Sequence, residues 1–397
     1  MQLKIEKMDH LGRGIGYINN KVVFVPKTLI NDYVEIKITK NKKKYYEASL
    51  IKIIKPSEKR INSICPYFSK CGGCNYLNTF YENTLEIKKN KIKNIMNKIN
   101  LNIEPIIIKN NNDLYYRNKI SLKIKNKKIG FYENKSNNLI EINYCYIVEP
   151  IINKAIELIK KWDLNNAFIT IRSNYLEEVL IIVETKENII IDNLIIDDFI
   201  KGIIINDKCV YKDDYFIEKI NDLKFKVSYN SFFQINRYIN SLLFSLINDF
   251  INQKDVVLDL YCGVGSLSLN AALKAKKVVG IEIVKNAIKN ALENNNLNNV
   301  KNANFILGDV QEKINDLNDC FDTVIIDPPR AGIDQNSKEV LLKLNPKKII
   351  YVSCDPQTLA RDLTFFQEKY SIKQFYILDM FSYTYHVESL VLLQKKD

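Results

Sequence analysis

The sequence predicts an α/β protein: a Rossmann-like, mostly parallel, doubly wound sheet preceded by a small β-barrel and an α+β middle domain. From about residue 255 onward, apolar strand-like runs alternate regularly with helical segments, which is typical of a parallel sheet covered on both faces. The first 58 residues instead alternate apolar and polar side chains in short runs. We therefore place three domains at 1–58, 59–220 and 221–397.

The first domain is predicted to be all β. Its runs KVVFVP, YVEIKIT and YYEASLIKIIKP are separated by Gly and Asn-Asp turn signals, the pattern of short strands in a small barrel. Gly12, Gly14 and Gly16 resemble a nucleotide-binding loop, but such a loop needs a strand before it and a helix after it. We interpret these glycines as residues that permit tight turns.

The middle domain is predicted to mix helices and strands. A Lys-rich segment, LEIKKNKIKNIMNKI, has helical periodicity, and KISLKIKNKKIGFYE reads as strands. Helical PIINKAIELIKKW is then followed by the strand-like segments AFITIRS and EVLIIVET. This alternation indicates an α+β unit.

Charge is divided unevenly along the chain. Residues 1–150 contain 28 Lys and Arg against 13 Asp and Glu, whereas 151–397 contain 30 against 33. A basic front half beside a near-neutral back half indicates a module that binds a polyanion such as RNA. The alternative is a solvated Lys-rich surface without a partner.

The sequence also predicts where the protein works. No uninterrupted apolar run reaches the roughly eighteen residues that a membrane helix needs, and the start MQLKIEKMDH contains acidic residues where a secretion signal would be apolar. We expect a cytoplasmic monomer with no membrane contact and no protein partner. Eight cysteines in such a chain favour metal-binding or catalytic roles over disulfides.

Side chains with chemical potential stand at the ends of successive predicted strands, where ligands bind in parallel sheets. They are Asp259, the loop Tyr261–Gly265, Glu282, Asp309, Asp327 and Cys354. The glycines let a ligand approach the backbone, and an acidic residue about twenty positions later suits ribose hydroxyls. NAD would also fit at this point, but Ser266 and the residues after it lack the third glycine, so S-adenosylmethionine is favoured.

Cys354 follows a strand and is flanked by Ser353 and Asp355. A lone cysteine after an apolar strand is commonly a buried small hydrophobe, but these polar flanks indicate the strand mouth. A thiolate there can add to carbon 6 of uracil and make carbon 5 nucleophilic. Glu388 is the candidate base for the carbon 5 proton, and we interpret His386 as a structural residue.

The motifs S-F-F-Q-x-N at 231–236, D-L-Y-C-G-V-G, D-P-P-R-A-G, S-C-D-P-x-T-L-A-R-D and H-V-E-S together resemble the RNA 5-methyluridine methyltransferases of the RumA/TrmA family. Residues 1–58 also resemble a TRAM domain, a barrel that precedes some members. The resemblance implies that Cys354 is the nucleophile and that Glu388 is the base. The residues that it implies as S-adenosylmethionine ligands are Gln234, Tyr261, Glu282, Asp309 and Asp327. Ser266 departs from the pattern, because some members carry Asn there.

The cysteine cluster C-P-Y-F-S-K-C-G-G-C with the later Cys145 resembles the 4Fe–4S site of RumA-like members. The ligands implied are Cys65, Cys71, Cys74 and Cys145. Four thiolates also bind zinc, and the spacing does not separate the two. A cluster together with a TRAM domain favours 23S ribosomal RNA as substrate. The alternatives are a tRNA uridine-C5 methyltransferase, a base amino-group methyltransferase and a non-catalytic RNA-binding or chaperone protein.

Overall fold

The computed structural model describes residues 1–133, 138–317 and 320–396. Its N-terminal part is all β, as predicted, and forms a six-stranded sheet with strand order β1-β5-β6-β4-β3-β2. Alternate residues of these strands, such as Val34 and Ile36, point into one small core. The strands are β1 (Gln2–Lys4), β2 (Lys7–Met8), β3 (Gly14–Ile18), β4 (Lys21–Val25), β5 (Tyr33–Asn41) and β6 (Tyr45–Lys55).

The three glycines near the start have two different roles. Gly12 has a φ of 75°, so the interpretation as a turn residue is confirmed there. Gly14 and Gly16 lie within β3, and that interpretation is wrong for them. A Cβ on Gly14 would come 2.1 Å from Thr28 Oγ1, and one on Gly16 would come 2.6 Å from Lys4 O. Close packing inside the sheet therefore requires glycine at both positions.

A seven-stranded sheet with order β10-β9-β8-β11-β12-β13-β14 forms the middle of the chain. Helix α2 packs on one face, where Ile152 and Ile156 meet Ile169 and Ile181. This confirms the predicted α+β character. The elements are α1 (Tyr81–Asn97), β7 (Ile106–Ile108), β8 (Lys119–Lys125), β9 (Lys128–Tyr132), β10 (Leu139–Glu141), α2 (Pro150–Ile159), β11 (Asn166–Ser173), β12 (Val179–Glu184), β13 (Ile200–Ile205) and β14 (Lys208–Lys212).

The last part of the chain begins with a short hairpin, β15–β16, and then forms most of an eight-stranded sheet. The strand order of this sheet is β19-β18-β17-β20-β21-β23-β22-β7. Its elements and those of the hairpin are β15 (Tyr215–Ile220), β16 (Leu223–Ser228), α3 (Arg237–Phe250), β17 (Val256–Leu260), α4 (Ser266–Ala272), β18 (Lys277–Glu282), α5 (Lys285–Leu297), β19 (Ala303–Leu307), α6 (Val310–Lys313), β20 (Thr323–Ile326), α7 (Gln335–Leu344), β21 (Lys348–Ser353), α8 (Pro356–Phe366), β22 (Tyr370–Leu378) and β23 (Glu388–Lys395).

Strands β17 to β21 are parallel, and β23 runs antiparallel between β21 and β22. One apolar core holds α3 and α4 against the sheet, with Leu243 and Leu267 among its members. A second core on the other face contains Leu341 of α7 and Leu359 of α8. The predicted doubly wound, Rossmann-like sheet is confirmed.

Two elements from the predicted middle domain pack into this last sheet. Strand β7 pairs in parallel with β22, placing Ile106 opposite Tyr376. Helix α1 lies over the same sheet, and its Ile92 and Met96 are fully buried in the core that contains α7 and α8. Part of the predicted middle domain thus packs into the last sheet. The boundaries at 58 and 220 stay predictions.

Within the described ranges, no helix has the length and apolar character needed to cross a membrane.

Candidate active site

The predicted site residues meet at one edge of the eight-stranded sheet. Parallel neighbours end on the same side, so the carboxyl ends of β17, β18, β20 and β21 lie together. The antiparallel β23 begins on this side, because its Ser389 pairs with Ser353 at the end of β21. Cys354 and Glu388 are consequently neighbours, although 34 positions separate them in the sequence.

The loop after β17 leaves an open space above its backbone. Tyr261, Gly263 and Gly265 all have left-handed φ values, of 64°, 55° and 79°. A Cβ on Gly263 would meet no atom of the described residues within 4 Å, whereas one on Gly265 would come 2.8 Å from Phe305 Cζ. Gly265 is needed for packing, while Gly263 leaves the backbone accessible to a ligand.

Glu282 supports this loop from the end of β18. Its Oε2 accepts a hydrogen bond from Gly263 N at 3.1 Å, and its Oε1 accepts one from Val284 N at 2.8 Å. Each carboxylate oxygen can accept a further donor. The arrangement therefore fixes a carboxylate that can still bind the hydroxyl groups of a ribose.

Two more carboxyl groups form the floor of the cleft. Asp259 is fully buried; its Oδ2 accepts a 2.5 Å bond from Ser268 Oγ, and its Oδ1 has no hydrogen-bond partner among the residues that the structure describes. Burial raises the pKa of Asp259 to about 7, and the charges of Asp327 and Glu282 add to the effect. Burial also raises the pKa of Asp327 to about 7. Such a floor attracts a cationic ligand, because a positive charge stabilises both carboxylates.

The structure brings three predicted cofactor residues, Gln234, Tyr261 and Asp327, together on the wall of one cleft. Glu282 adjoins the same cleft, because its side chain accepts a hydrogen bond from the backbone N–H of Gly263. Asp309 lies at the start of α6, where its Oδ1 accepts a 2.8 Å bond from Gln311 N, and it is not part of the cleft wall. Its charge nevertheless acts on the Tyr261 hydroxyl.

Cys354 and Glu388 form an acidic pair next to this cleft. The Cys354 thiol is half-buried, and its pKa is raised to about 11 by burial, then by the charges of Glu388 and Asp327, while Arg330 opposes the shift. Glu388 is 2% exposed, and within the described part of the chain its Oε1 has no hydrogen-bond partner. Burial, followed by the charge of Asp327, raises its pKa well above the usual value. Both shifts favour the protonated form of each group before ligands bind.

His386 packs as a neutral ring. It lies on Tyr385 with ring centroids 4.2 Å apart and contacts Phe381 at 5.5 Å. Burial, followed by the nearby charges of Arg330 and Lys91, lowers the pKa of His386 to about 4. The packing agrees with the interpretation of His386 as a structural residue.

Sequence reasoning left three neighbours out of the site. Arg330 acts on the Cys354 thiol, and its place in D-P-P-R was the available signal. Asp259 stood at a strand end but was not assigned a role. Phe232 is 74% exposed at the same cleft, while the adjacent Phe233 is buried; the sequence did not reveal which of the two phenylalanines faces outward.

The four predicted metal-binding cysteines lie in one neighbourhood. Burial, followed by the charges of Cys145 and Cys71, raises the pKa of Cys74, so these thiols influence one another directly. Lys27 Nζ donates to the carbonyl oxygens of Cys71 and Cys74 at 2.8 and 2.5 Å. Among the residues described, no three or more His, Cys, Asp or Glu side chains form a group placed to hold a metal ion.

Comparison with known families matches two parts of the chain. Residues 80–396 match the family described as tRNA (uracil-5-)-methyltransferase. Residues 1–51 match the TRAM domain. The first match covers the open cleft and the Cys354–Glu388 pair, and the second covers the N-terminal sheet up to β6.

Relatives of known sequence and structure match over the full length. An uncharacterized RNA methyltransferase of Caldanaerobacter subterraneus subsp. tengcongensis is 33% identical over 99% of this chain and 98% of its own. One from Clostridium tetani is 33% identical over 98% and 95%. The crystal structure of Pyrococcus abyssi tRNA (uracil-54, C5)-methyltransferase in complex with S-adenosyl-L-homocysteine superimposes with a TM-score of 0.83, at 27% identity, over 99% of this chain and 100% of that one.

The fold, the cleft and these matches agree. The chain belongs to the tRNA (uracil-5-)-methyltransferase family and is an S-adenosylmethionine-dependent RNA (uracil-C5)-methyltransferase with an N-terminal TRAM domain.

Proposed function

We propose that the enzyme works through a covalent bond between Cys354 and carbon 6 of the target uridine, and that Glu388 completes the reaction as the base. The observation that carries this proposal is the adjacency of a thiol and a buried carboxyl group with a free oxygen, beside the cleft floored by Asp327. A methyl transfer that used a base amino group would need no cysteine at this position.

The proposed reaction has three steps. The Cys354 sulfur adds to carbon 6, and the electron pair of the carbon 5–carbon 6 double bond makes carbon 5 nucleophilic. Carbon 5 attacks the methyl carbon of S-adenosylmethionine, and S-adenosylhomocysteine leaves. Glu388 takes the proton from carbon 5, the double bond re-forms, and the carbon 6–sulfur bond breaks to return the thiolate.

The protonation states of the free site set a requirement for this mechanism. Cys354 must pass its proton to solvent before attack, and Glu388 must be ionised before it can act as a base. The sulfonium of S-adenosylmethionine is positively charged, and a cation beside Asp327 lowers the pKa of the carboxyl groups around it. Binding of the methyl donor therefore prepares the acidic pair for reaction.

We assign binding of S-adenosylmethionine to the five predicted residues. Glu282 suits the ribose hydroxyls, because its carboxylate is fixed by Gly263 N and Val284 N and has acceptor capacity left. Asp327 suits the positive end of the ligand. Gln234 and Tyr261 share the cleft wall with Asp327, and Asp309 acts from the next strand end.

We also propose that Cys65, Cys71, Cys74 and Cys145 hold a 4Fe–4S cluster. The support is their shared neighbourhood and the resemblance to RumA-like members. The four thiolates would hold the cluster, as cysteines do in sites of this type. A cluster at this place would supply folding free energy to the segment that joins the N-terminal sheet to α1.

Protein purified without oxygen is then expected to contain about four irons per chain, the number in a four-cysteine cluster of this type. Metal analysis together with the visible absorbance spectrum checks this, because oxygen should bleach the absorbance. Stoichiometric zinc, or a protein that folds with no metal, would overturn the assignment. Cys209→Ala, which removes an exposed thiol on β14, should leave the iron content unchanged.

For the RNA itself, we propose 23S ribosomal RNA. The support is the four-cysteine segment combined with the basic front half and the TRAM domain. Lys42, Lys43 and Lys44 are exposed between β5 and β6, where they suit phosphate contacts. A transfer RNA is the second candidate, because the Pyrococcus abyssi enzyme that matches this chain over its whole length is named for uracil 54 of tRNA.

The two substrates are separated by offering the enzyme unmodified 23S rRNA and unmodified tRNA transcripts with methyl-labelled S-adenosylmethionine. Label is expected in the ribosomal transcript, at a single uridine. Label confined to the tRNA transcript would establish the second candidate in its place.

A further inference from the structure

The loop of residues 379–387 joins β22 to β23 and leads directly into Glu388. Its carbonyl oxygens are bound by a part of the chain about three hundred positions earlier. Lys88 Nζ donates to Phe381 O at 2.9 Å, and Lys91 Nζ donates to Tyr385 O at 2.9 Å. Both lysines lie on α1, so this helix holds the loop at two points.

Further bonds from the same part of the chain hold the middle of the loop. Asn75 N and Tyr76 N both donate to Tyr383 O, at 2.9 and 3.0 Å. Tyr385 N donates to Asn75 Oδ1 at 3.2 Å, and Tyr116 OH donates to the carbonyl oxygen of Ser382 at 3.1 Å. Residues from 75 to 116 thus set the path of the chain that enters Glu388.

The centre of this arrangement is a buried ion pair. Lys88 and Asp379 are 1% and 0% exposed, and Lys88 Nζ lies 2.5 Å from Asp379 Oδ1. Asp379 Oδ2 also accepts bonds from Tyr81 OH at 2.6 Å and Ser382 Oγ at 2.7 Å. Burying two charges costs free energy that apolar residues would not require. The pair instead holds α1 and the start of the loop in one defined geometry.

We propose that Lys88 and Asp379 are positioning residues that fix Glu388 relative to Cys354, an inference that rests on the proposed role of Glu388 as the base. Proton removal needs the base within hydrogen-bond reach of carbon 5. Cys354 and Asp327, by contrast, are held by the ends of β21 and β20. A displaced loop therefore slows proton removal and release of the RNA while attack and methyl transfer continue.

The test uses Asp379→Asn and Tyr81→Phe. Both are expected to lower kcat by about tenfold to a hundredfold, the cost of misplacing a reacting group by roughly 1 Å. Both should also raise the fraction of RNA that stays linked to the protein on a denaturing gel. Tyr81→Phe removes the hydrogen bond that orients Asp379 Oδ2 but keeps the charge of Asp379 paired with Lys88, so it tests the position of Asp379 if Asp379→Asn does not fold.

Asp255→Asn is the matched control. Asp255 also pairs with a lysine, Lys348, at 2.8 Å, and accepts a bond from Thr323 Oγ1 at 3.0 Å. It lies before β17, at the opposite edge of the sheet from the site. Asp255→Asn is expected to lower the stability of the protein and to leave the fraction of RNA linked to the protein at the wild-type level.

The outcomes separate the two proposals. If Glu388→Gln traps RNA but Asp379→Asn and Tyr81→Phe stay at the wild-type level of linked RNA, the positioning inference is wrong and the role of Glu388 stands. The inference is also wrong if Asp255→Asn traps RNA equally well. If Glu388→Gln traps none, the assignment of the base itself fails.

Discussion

Replacing Cys354 with alanine is expected to abolish methyl transfer while S-adenosylmethionine still binds. Without the sulfur, carbon 5 of uracil is too weak a nucleophile to accept a methyl group. Removing a covalent nucleophile lowers turnover by on the order of 10⁴-fold or more. In the proposed arrangement the methyl donor binds against Asp327 and the loop containing Gly263, which the substitution does not touch. Radiolabel transfer to RNA and calorimetric binding of the methyl donor measure the two properties separately.

Cys209→Ala provides the control, because this exposed cysteine on β14 lies on a different sheet from the site. It should retain full activity. Methylation by Cys354→Ala within a few-fold of the unmodified enzyme would rule out the covalent mechanism, and loss of S-adenosylmethionine binding would show that Cys354 belongs to the cofactor cleft instead.

Glu388→Gln is expected to trap the RNA on the protein after methyl transfer. The amide has nearly the shape of the carboxyl group but cannot take up the carbon 5 proton, so the carbon 6–sulfur bond has no route to break. The substitution should cost little stability, because the amide can occupy the same buried space as a carboxyl group whose pKa burial raises well above its usual value. A methyl-labelled band of protein-linked RNA on a denaturing gel would reveal the trapped state.

The double variant Cys354→Ala with Glu388→Gln tests the nature of that link. It should show no band, because the sulfur that forms the bond is gone. If Glu388→Gln loses activity without accumulating linked RNA, another group removes the proton, and Glu388 serves the site in some other way.

The sequence was sufficient to predict which side chains meet at one edge of the eight-stranded sheet, because the information there is local. Each parallel strand is a short apolar run, and a polar residue such as Glu282 or Asp327 follows where the run ends. Since parallel strands end on one side, finding the ends of the runs locates the site. The antiparallel β23 needed one further step, the recognition that its first residue, Glu388, falls on that same side.

Features built from distant contacts were not predictable in this way. Nothing in the run Ile106–Ile108 indicates that it pairs with β22, and the helical pattern of α1 does not reveal which sheet it covers. The bonds from Lys88 and Asn75 to the loop before Glu388 join residues about three hundred positions apart. Gly14 and Gly16 show the same limit, because their need for glycine arises from neighbours across the sheet.

The four cysteines show a different limit. Spacing along the chain indicated a shared site and left its occupant open between iron–sulfur and zinc. The structure brings Cys71, Cys74 and Cys145 into one electrostatic neighbourhood, but the identity of a metal depends on electronic preferences that the positions of these thiols do not express. Metal analysis is therefore the appropriate test.

The most direct test of the covalent mechanism is to identify the methylated nucleoside. The enzyme is incubated with S-adenosylmethionine and an RNA carrying tritium at carbon 5 of its uridines, and the RNA is then digested and analysed by mass spectrometry. The covalent mechanism predicts 5-methyluridine, with one tritium released to water for each methyl group transferred. A methyl group on any other atom, or methylation without release of tritium, would contradict it.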